Sequence, residues 1–504
     1  MNKKTNTVGK QILDIITSGM YSNAMMVLRE YVQNAADAID CAISNKLISQ
    51  ESSRIDINID GESRTITISD NGAGVSSENV GHILNSIGIS SKTNGNCRGF
   101  RGIGRLGGLG YCDKVVFETR SLKSEPITVA EWDSNILRNE CRNINDETDL
   151  IDVLNKIVKG SKREAILNDH PHFFKVKMIN IHRFHKDELM NLKDIYNYLS
   201  QVSPVPYDNN VFSFSNEITN NLCMIDGFRS YNIYLNGNKI FKPHRNSFAI
   251  SGQTQDLITG LHFFDIKGRN SNCIGRGWFA KSSFKASLLQ SDKMRGIRLR
   301  QGNIEVGDEY LLSDFYSERR FSTWHIGEIH FNYNLRLNAR RDGFEQSDEY
   351  ECFLEQCTLL CRHLSTLCRN ASKIRSKQFI LQKTLENVEK SIETATFTGN
   401  KTRRNAIQTA QSLLKSTNNQ KNKDELRTSK IANLWNKINR LENDSLSLSG
   451  LLDGRILRNI DQKILIEDIT THIIDNYDVY KSPVELVKAI VTPYLRKDID
   501  LKRL

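Results

Sequence analysis

The chain of 504 residues is too long for one hydrophobic core, so two to four domains are expected. Hydrophobic residues at 38% and charged residues at 25% exclude a disordered or fibrous protein. No apolar run approaches the roughly 20 residues that a membrane-spanning helix needs, and the N-terminus lacks the long apolar core of a secretory signal. We therefore expect a cytoplasmic protein that does not engage a membrane.

The net charge of +10 is concentrated in one segment. Residues 361–440 hold 17 Lys and Arg against five Asp and Glu, a net charge of +12, which leaves −2 for the rest of the chain. A solvated helical surface would explain this excess. The alternative is contact with nucleic acid or with an acidic protein.

The first predicted helix runs from about Ser22 to Ile43, because its apolar residues recur on one face. Glu30, Asn34 and Asp37 follow one another at i, i+4 and i+7 and therefore project from nearly the same opposite face. A solvated surface would give this pattern too. A carboxylate and an amide one turn apart are also what a hydrated Mg²⁺ and a polarised water require.

Two strands are predicted next, "RIDINI" (54–59) and "RTITIS" (64–69), joined by turn residues. Asp70 ends the second strand, and the chain turns at once through Gly72 and Gly74. An acidic residue there can accept hydrogen bonds from an exocyclic amine at the floor of a pocket. An ordinary Asx turn that closes the hairpin is the alternative.

The stretch "GFRGIGRLGGLG" (99–110) places six glycines in twelve positions, after a polar segment (85–95) that contains Lys92. Backbone N–H groups of a glycine-rich turn can bind an anion. The spacing excludes a P-loop, and no strand directly precedes the turn as the dinucleotide-binding fingerprint requires. A further strand is predicted at 112–121.

The region up to residue 350 continues the mixed α/β pattern. "YNIYLNGNKIF" (231–241) predicts a hairpin around Asn236-Gly237, and strands are expected within 295–311 and 324–331. Residues 335–345, "LRLNARRDGFE", carry a dense group of charges that a surface ion-pair group would explain.

The last 150 residues are poor in glycine and have no proline before Pro483, and they show heptad-like apolar spacing, which predicts helices packed antiparallel or as a coiled coil. The spaced apolar residues are Ile374, Leu381, Leu385, Val388, Ile392, Ile431, Leu434, Ile438 and Leu441. Four cysteines at 352, 357, 361 and 368 have spacings that suit one helix face rather than a zinc site. We expect them to be buried thiols.

The blocks between residues 19 and 110, in this order and spacing, resemble the GHKL ATPases, which include DNA gyrase, heat-shock protein 90, histidine kinases, MutL and MORC proteins. "GMYSNAMMVLREYVQNAADAID" is similar to the heat-shock protein 90 helix that ends "RELISNASDA". "ISSKTNGNCRGFRGIG" is closer to the lid of MutL-like and MORC-like members, in which "GFRG" is typical. The resemblance implies an N-terminal GHKL (Bergerat) ATP-binding α/β sandwich.

The resemblance also implies roles for individual residues. Glu30 would be the general base that orients the attacking water, and Asn34 would hold the Mg²⁺ that bridges the phosphates, with Asp37 supporting the site. Asp70 would bind the adenine amine, and Gly74 would let the base lie close to the backbone. The remaining residues that would contact the nucleotide, from the adenine turn and the lid over 78–110, are Gly72, Lys92, Gly99, Arg101, Gly102, Ile103 and Gly104.

The sequence departs from the family pattern at one point, and the resemblance extends to a second region further along the chain. The family has a Gly-Thr pair before a late strand, and the candidate here, "HPHFFKVKMINI" (170–181), has neither residue. Residues 335–345 resemble the middle-domain loop of heat-shock protein 90, which places Asn338 and Arg341 at the asparagine and at the arginine that reaches the γ-phosphate. A guanidinium from another domain neutralises transition-state charge when the domains close.

The sequence therefore predicts three regions: a GHKL ATP-binding domain (1–195), a transducer-like α/β middle domain (196–350) and a helical C-terminal region (351–504). The expected activity is Mg²⁺-dependent ATP hydrolysis by a heat-shock protein 90-like ATPase that dimerises on ATP binding and remodels a protein client. The alternative is a MORC-like or MutL-like clamp on nucleic acid, in genome maintenance or defence against foreign DNA. A histidine kinase is disfavoured, because no helix with a phosphoacceptor histidine precedes residue 20.

Overall fold

The computed structural model describes residues 10, 13, 23–81, 104–122, 125–142, 149–166, 169–183, 186–251, 254–338, 341–397, 400–418 and 425–453. The chain divides into two compact units, Met1–Ala371 and Ser372–Leu504. The α-helices of the described residues are α1 (Met26–Ser44), α2 (Ser134–Arg142), α3 (Leu150–Ile157), α4 (Leu192–Val202), α5 (Ser215–Leu222), α6 (Asp348–Phe397), α7 (Asn400–Asn418) and α8 (Glu425–Asp453).

A mixed eight-stranded sheet organises the first part of the chain. Its strands are β1 (Arg54–Asp60), β2 (Thr65–Asp70), β3 (Cys112–Arg120), β4 (Ile127–Asp133), β5 (Val158–Arg163), β6 (Phe173–Ile181), β7 (Asn232–Leu235) and β8 (Asn238–Lys239). The spatial order is β5-β4-β3-β6-β2-β1-β7-β8, and only the β1–β7 pair is parallel. The architecture confirms the predicted α/β fold class and the first three predicted strands.

Helix α1 packs on this sheet through one apolar face. The predicted core positions are all at most 4% exposed, namely Met25, Leu28, Val32, Ala35, Ala36 and Ile39. They share a core with the alternate residues Ile55, Ile57 and Ile59 of β1. The apolar residues of α1 recur with the helical period of 3.6 and those of β1 with the strand period of two, so each element has one apolar face, and these two faces pack together. The polar positions of α1 lie on its other side.

The predicted hairpin at 231–241 is confirmed. Asn236 and Gly237 both have positive φ, 45° and 81°, which is the backbone geometry that a two-residue turn between β7 and β8 requires. Because β7 pairs with β1, the first sheet takes two strands from beyond residue 196. The domain boundary at that residue stays a prediction.

A second, five-stranded sheet follows in the same unit, in the order β11-β12-β15-β13-β14. Its strands are β11 (Gly260–Lys267), β12 (Cys273–Lys281), β13 (Gly296–Gln301), β14 (Ile304–Val306) and β15 (Ile326–Phe331), after a small β9 (Ser247–Ala249) and β10 (Gln255–Leu257) pair. Every residue of β13 and β15 is buried, so both faces of the sheet are covered. These strands confirm the ones predicted within 295–311 and 324–331.

The first turns of α6 cover one face of the second sheet. Cys357, Cys361 and Cys368 are fully buried there, and burial raises the pKa of the Cys361 thiol to about 12. Cys352 is half-buried. The expectation of buried thiols is confirmed for Cys357, Cys361 and Cys368. Within the described ranges no cluster of His, Cys, Asp or Glu is arranged to hold a metal ion.

The second unit has its own apolar core, shared by the end of α6 with α7 and α8. The predicted positions Leu381, Leu385, Val388, Ile392, Leu434 and Ile438 are buried in it, and Ile431 and Leu441 pack at its edge. Ile374 is 53% exposed, so its place in the predicted apolar stripe was wrong. None of the helices in the described segments is both long and apolar enough to cross a membrane.

Candidate functional site

Glu30 lies in the second turn of α1, and guanidinium groups from two parts of the chain lie near its carboxylate. Its Oε1 is 3.5 Å from Nη2 of Arg29, and its Oε2 is 3.8 Å from Nη2 of Arg341. The Glu30 side chain is 10% exposed and that of Arg341 13% exposed. The structure thus brings the two predicted catalytic residues together in a largely buried position.

Arg341 lies in a loop whose backbone is closely defined. A bridge between Leu337 and Phe344 closes the loop, and Asn338 accepts from the Arg341 N–H through its carbonyl at 3.2 Å. The Asn338 side chain also donates to Asp342 at 2.7 Å. Arg341 has φ +56°, a conformation that is uncommon for a non-glycine residue. With its side chain on Glu30, Arg341 is not part of a solvated surface group.

The described end of the glycine-rich stretch packs against the start of α1. A Cβ on Gly104 would lie 2.5 Å from Oε2 of Glu30, so a larger residue there would force that carboxylate to move. The 3₁₀ segment Gly104–Gly110 is further tied to α1, because Gly108 N–H donates to the Tyr31 hydroxyl at 3.1 Å. That hydroxyl donates to the Arg105 carbonyl at 3.0 Å. Burial lowers the pKa of the Arg105 guanidinium to about 10.

The other predicted lid residues lie outside the described residues. These are Lys92, Gly99, Arg101, Gly102 and Ile103. Asn34 and Asp37 are described: Asn34 is half-buried and Asp37 is buried, on the same side of α1 as Glu30.

Asp70 ends β2 in a buried position, 4% exposed. Its Oδ1 accepts a hydrogen bond from the Gly72 N–H at 2.8 Å, which is the Asx turn that the sequence suggested as the alternative reading. Burial raises the pKa of Asp70 to about 7, against the hydrogen bonds from the backbone of Gly72 and Phe174. The turn and a ligand role are compatible, since a carboxylate can accept several hydrogen bonds.

The turn after Asp70 is confined between α1 and the ends of β3 and β6. A Cβ on Gly72 would lie 2.6 Å from the Ala38 carbonyl carbon, and Ala73 N–H donates to the Ala38 carbonyl at 3.0 Å. Gly74 has φ +64°, and a Cβ there would lie 2.0 Å from the Arg120 carbonyl oxygen. Close approach of backbone therefore explains both glycines, and it places the turn beside the helix that carries Asn34.

Thr119, His172 and Phe174 lie near Asp70 and were not predicted from the sequence. Phe174 lies directly opposite Asp70 on β6, and Thr119 lies opposite Phe174 on β3, so Asp70, Phe174 and Thr119 form a row across the sheet. The Thr119 hydroxyl accepts from Val75 N–H and donates to the Phe173 carbonyl, both at 2.9 Å. Phe174 therefore occupies the late-strand position where the sequence lacks the family's Gly-Thr pair.

A further contact fixes the same turn. The Nδ1 atom of His172 lies 2.8 Å from the Gly72 carbonyl oxygen. The sequence carried no signal for His172 or Thr119, because only the pairing of β3 with β6 brings them to residues 72–75.

Replacing Gly74 with Ala is expected to lower the free energy of unfolding by on the order of 3 kcal/mol, because the new Cβ meets a backbone oxygen and φ is positive. Thermal unfolding of the whole chain measures this. Gly61→Ala is the matched control, since Gly61 lies in the β1–β2 turn with no atom within 4 Å of a Cβ and without a positive φ. Equal melting temperatures for the two variants would contradict the close approach.

Comparison with known proteins relates the N-terminal fold to a known class. Residues 21–162 match the family described as histidine kinase-, DNA gyrase B-, and HSP90-like ATPase. This part of the chain is similar to the GHKL superfamily, and the predicted fold of the N-terminal region is confirmed.

Within that class the chain is heat-shock protein 90-like. Three similar relatives are each called chaperone protein HtpG: one from Methylococcus capsulatus (33% identical over 145 residues), one from Fusobacterium nucleatum (33% over 134) and one from Legionella pneumophila (33% over 158). The matches cover 25%, 23% and 27% of this chain and 23%, 22% and 25% of the respective relatives. The chain thus matches about a quarter of the length of these chaperones.

Proposed function

We propose that this protein binds ATP, hydrolyses it, and uses the cycle to remodel a macromolecular partner. One observation carries the proposal: Glu30, Arg341 and Gly104 meet at one point, although they belong to a helix, a distant loop and a glycine-rich segment. A carboxylate, a guanidinium and close glycine backbone are the groups that positioning and charge stabilisation of a phosphoryl transfer require.

Glu30 is the proposed general base, which orients water and accepts its proton. Arg341 is the proposed source of positive charge for the γ-phosphate in the transition state. The Arg341 guanidinium lies 3.8 Å from the Glu30 carboxylate, so the two groups meet at one point of the site, where Glu30 would contact the attacking water and Arg341 the terminal phosphate. Gly104 and the lid residues Gly99, Gly102 and Ile103 would supply backbone N–H donors, with Lys92 and Arg101 adding charge.

Mg²⁺ is the proposed metal, with Asn34 as its protein ligand and Asp37 as support. Asn34 is half-buried on the face of α1 that carries Glu30, so its amide oxygen is available to a partly hydrated ion. Mg²⁺ keeps several waters and usually takes one or two protein ligands together with substrate phosphates. When bound, the ion would supply positive charge that offsets the charge of the phosphates.

Asp70 is the proposed adenine-binding residue. Its buried carboxylate lies at the end of a strand beside the confined backbone at Gly72 and Gly74, which would let a flat base approach closely. The base amine donates and the carboxylate accepts, which makes this a charge-assisted hydrogen bond.

The proposed partner is a protein client, handled by a dimer that forms through the ATP-binding domains when ATP is bound. The three relatives carry the name of a chaperone, and this is the support for the proposal. The alternative partner is nucleic acid, which the net charge of +12 over residues 361–440 favours. Measuring the ATPase rate with and without duplex DNA at several salt concentrations separates the two. A nucleic acid bound through its phosphates loses affinity as the salt concentration rises, so any stimulation of the ATPase rate by DNA should fall with salt.

Replacing Asp70 with Asn tests the nucleotide site. We expect ATP affinity to fall roughly 10- to 100-fold, since a hydrogen bond to a charged group contributes about 1.5–3 kcal/mol. Titration calorimetry with the whole chain measures the dissociation constant. Unchanged affinity would remove Asp70 from the adenine site.

The same variant has an internal control for folding. The pKa of Asp70 is raised on folding, so its contribution to stability is greatest below about pH 4 and is lost as pH rises through 7. Asp70→Asn should therefore melt at a higher temperature than the wild type at pH 8, and this advantage should disappear towards pH 4. Weak ATP binding by a more stable protein cannot be ascribed to misfolding.

A further inference from the structure

The β13–β14 hairpin reaches across the first unit to the segment before β7. Its turn consists of Gly302 and Asn303, both with positive φ, 58° and 62°. Asn303 is fully buried, and its Nδ2 donates to the Arg229 carbonyl at 3.0 Å and to the Ser230 hydroxyl at 3.1 Å. Because this buried side-chain amide bonds a segment outside its own hairpin, it fixes the position of the hairpin tip.

That segment is in turn tied to the helix that carries Glu30. Arg229 Nη1 and the Tyr231 hydroxyl both donate to Oδ1 of Asp40 in α1, at 2.9 and 2.6 Å. Gln50, just after α1, donates through Nε2 to the Ser230 carbonyl at 2.7 Å. The tip of the hairpin is therefore connected to α1 through short side-chain hydrogen bonds to the intervening segment.

The strands beside that tip hold the loop of Arg341. Gln301, the last residue of β13, donates through Nε2 to the carbonyls of Asn332 and Leu335, at 2.9 and 2.6 Å. Gly307, just after β14, donates its N–H to the Arg341 carbonyl at 3.3 Å. Both strands of one hairpin thus contact the same loop.

A buried ionic cluster supports this hairpin from behind. Glu328 on β15 is fully buried and accepts from Arg300 Nε at 2.7 Å, from Lys242 Nζ at 3.1 Å and from the Tyr207 hydroxyl at 2.6 Å. Arg300 also donates through Nη1 to the Asn303 carbonyl at 3.3 Å. Buried ion pairs contribute little net stability, because the desolvation cost offsets the attraction. Their effect here is to fix geometry at the turn.

These contacts form a closed path from α1 through the hairpin to the Arg341 loop and back to Glu30. We propose that Asn303 is a positioning residue for catalysis, which sets the distance between Arg341 and Glu30 by anchoring the β13–β14 hairpin to the α1 side of the site. The inference rests on the proposed ATPase function. The Asn303 side chain bonds Arg229 and Ser230, which are not among the proposed nucleotide-binding residues, so we expect an effect on turnover and not on ATP affinity.

Asn303→Gly tests this, because glycine keeps the positive φ and removes the amide donors. We expect kcat to fall about tenfold with KM for ATP within about twofold, since a displacement of about 1 Å can cost up to roughly 100-fold in rate. Steady-state ATPase assays on the whole chain measure both constants. A fall in kcat with an equal rise in KM, or no change in kcat, would overturn the proposal.

Asn236→Gly is the matched control. Asn236 also sits at positive φ in a hairpin turn, and its side chain also bonds a distant segment, donating to the Ile59 carbonyl at 3.1 Å and accepting from the Ile59 N–H at 2.8 Å. These hydrogen bonds hold the β7–β8 turn to β1, outside the path from α1 to Arg341. We expect this variant to lose stability without losing kcat; an equal loss of kcat in both variants would show a general effect of weakened folding.

A double-mutant cycle with Arg341→Ala gives the decisive result. If Asn303 acts through Arg341, the double variant turns over ATP no more slowly than Arg341→Ala alone. If the double variant instead shows the product of the two single-variant losses in kcat, Asn303 does not act through Arg341, and the positioning proposal is refuted while the ATPase proposal stands. A wild-type chain without ATPase activity would instead refute the proposed function itself.

Discussion

Replacing Glu30 with Gln is expected to reduce ATP turnover by about 100-fold or more, while ATP affinity stays within about twofold of wild type. Glutamine keeps the size of the side chain, which matters because Gly104 lies close against the end of Glu30. It cannot accept the proton of the attacking water, and general base catalysis typically contributes about 10²- to 10⁴-fold. Multiple-turnover ATPase assays and equilibrium ATP binding measure the two quantities.

The control for this variant is Glu62→Gln, which neutralises an exposed carboxylate in the β1–β2 turn. It should retain full turnover. Because Glu30 lies near two guanidinium groups, its neutralisation also changes the local charge, so thermal unfolding should accompany the assay. Hydrolysis at the wild-type rate in a folded Glu30→Gln protein would exclude Glu30 as the base.

Replacing Arg341 with Ala is expected to lower kcat by roughly 10³-fold, the lower end of the effect of arginines that stabilise phosphoryl transfer. Alanine and arginine both carry a Cβ, so both are equally strained at φ +56°. The change therefore tests the guanidinium without adding backbone strain. ATP affinity should change little, because the charge acts mainly on the transition state. Single-turnover hydrolysis with ATP prebound separates the chemical step from binding.

Two further variants sharpen this result. Arg341→Lys keeps the charge but loses the planar, forked donor, and we expect it to restore only a small part of the rate. Arg336→Ala removes an exposed arginine from the same loop and should leave turnover unchanged. Equal effects of Arg336→Ala and Arg341→Ala would mean that only the general charge of the loop matters.

The elements closest to the sequence pattern were predicted well. Helix α1, the first strands and the Asn236-Gly237 turn follow from periodicity and turn chemistry within short windows, and the structure confirms them. The turn at Gly72 and Gly74 was also expected from sequence. What the sequence did not show is why both must be glycine, since the obstructing atoms belong to Ala38 and Arg120.

The residues that were missed have long-range partners. Phe174 faces Asp70 only because β6 inserts between β2 and β3, an order that strand patterns alone do not reveal. Thr119 and Asn303 bond segments far along the chain. In the other direction, Ile374 fits the apolar spacing yet is exposed, because spacing predicts a face and not what covers it.

The sequence by itself determined the class of the ATP-binding domain, since its helix, its Asp-Gly turn and its glycine-rich stretch each follow from local residue patterns and together match one superfamily. It also marked Glu30 and Arg341 separately. Only the tertiary structure decided that these two side chains lie 3.8 Å apart and that one hairpin holds the loop that carries Arg341. The physical reason is that periodicity fixes the face of an element, whereas distances between elements depend on strand order and on buried polar contacts that form only in the folded chain.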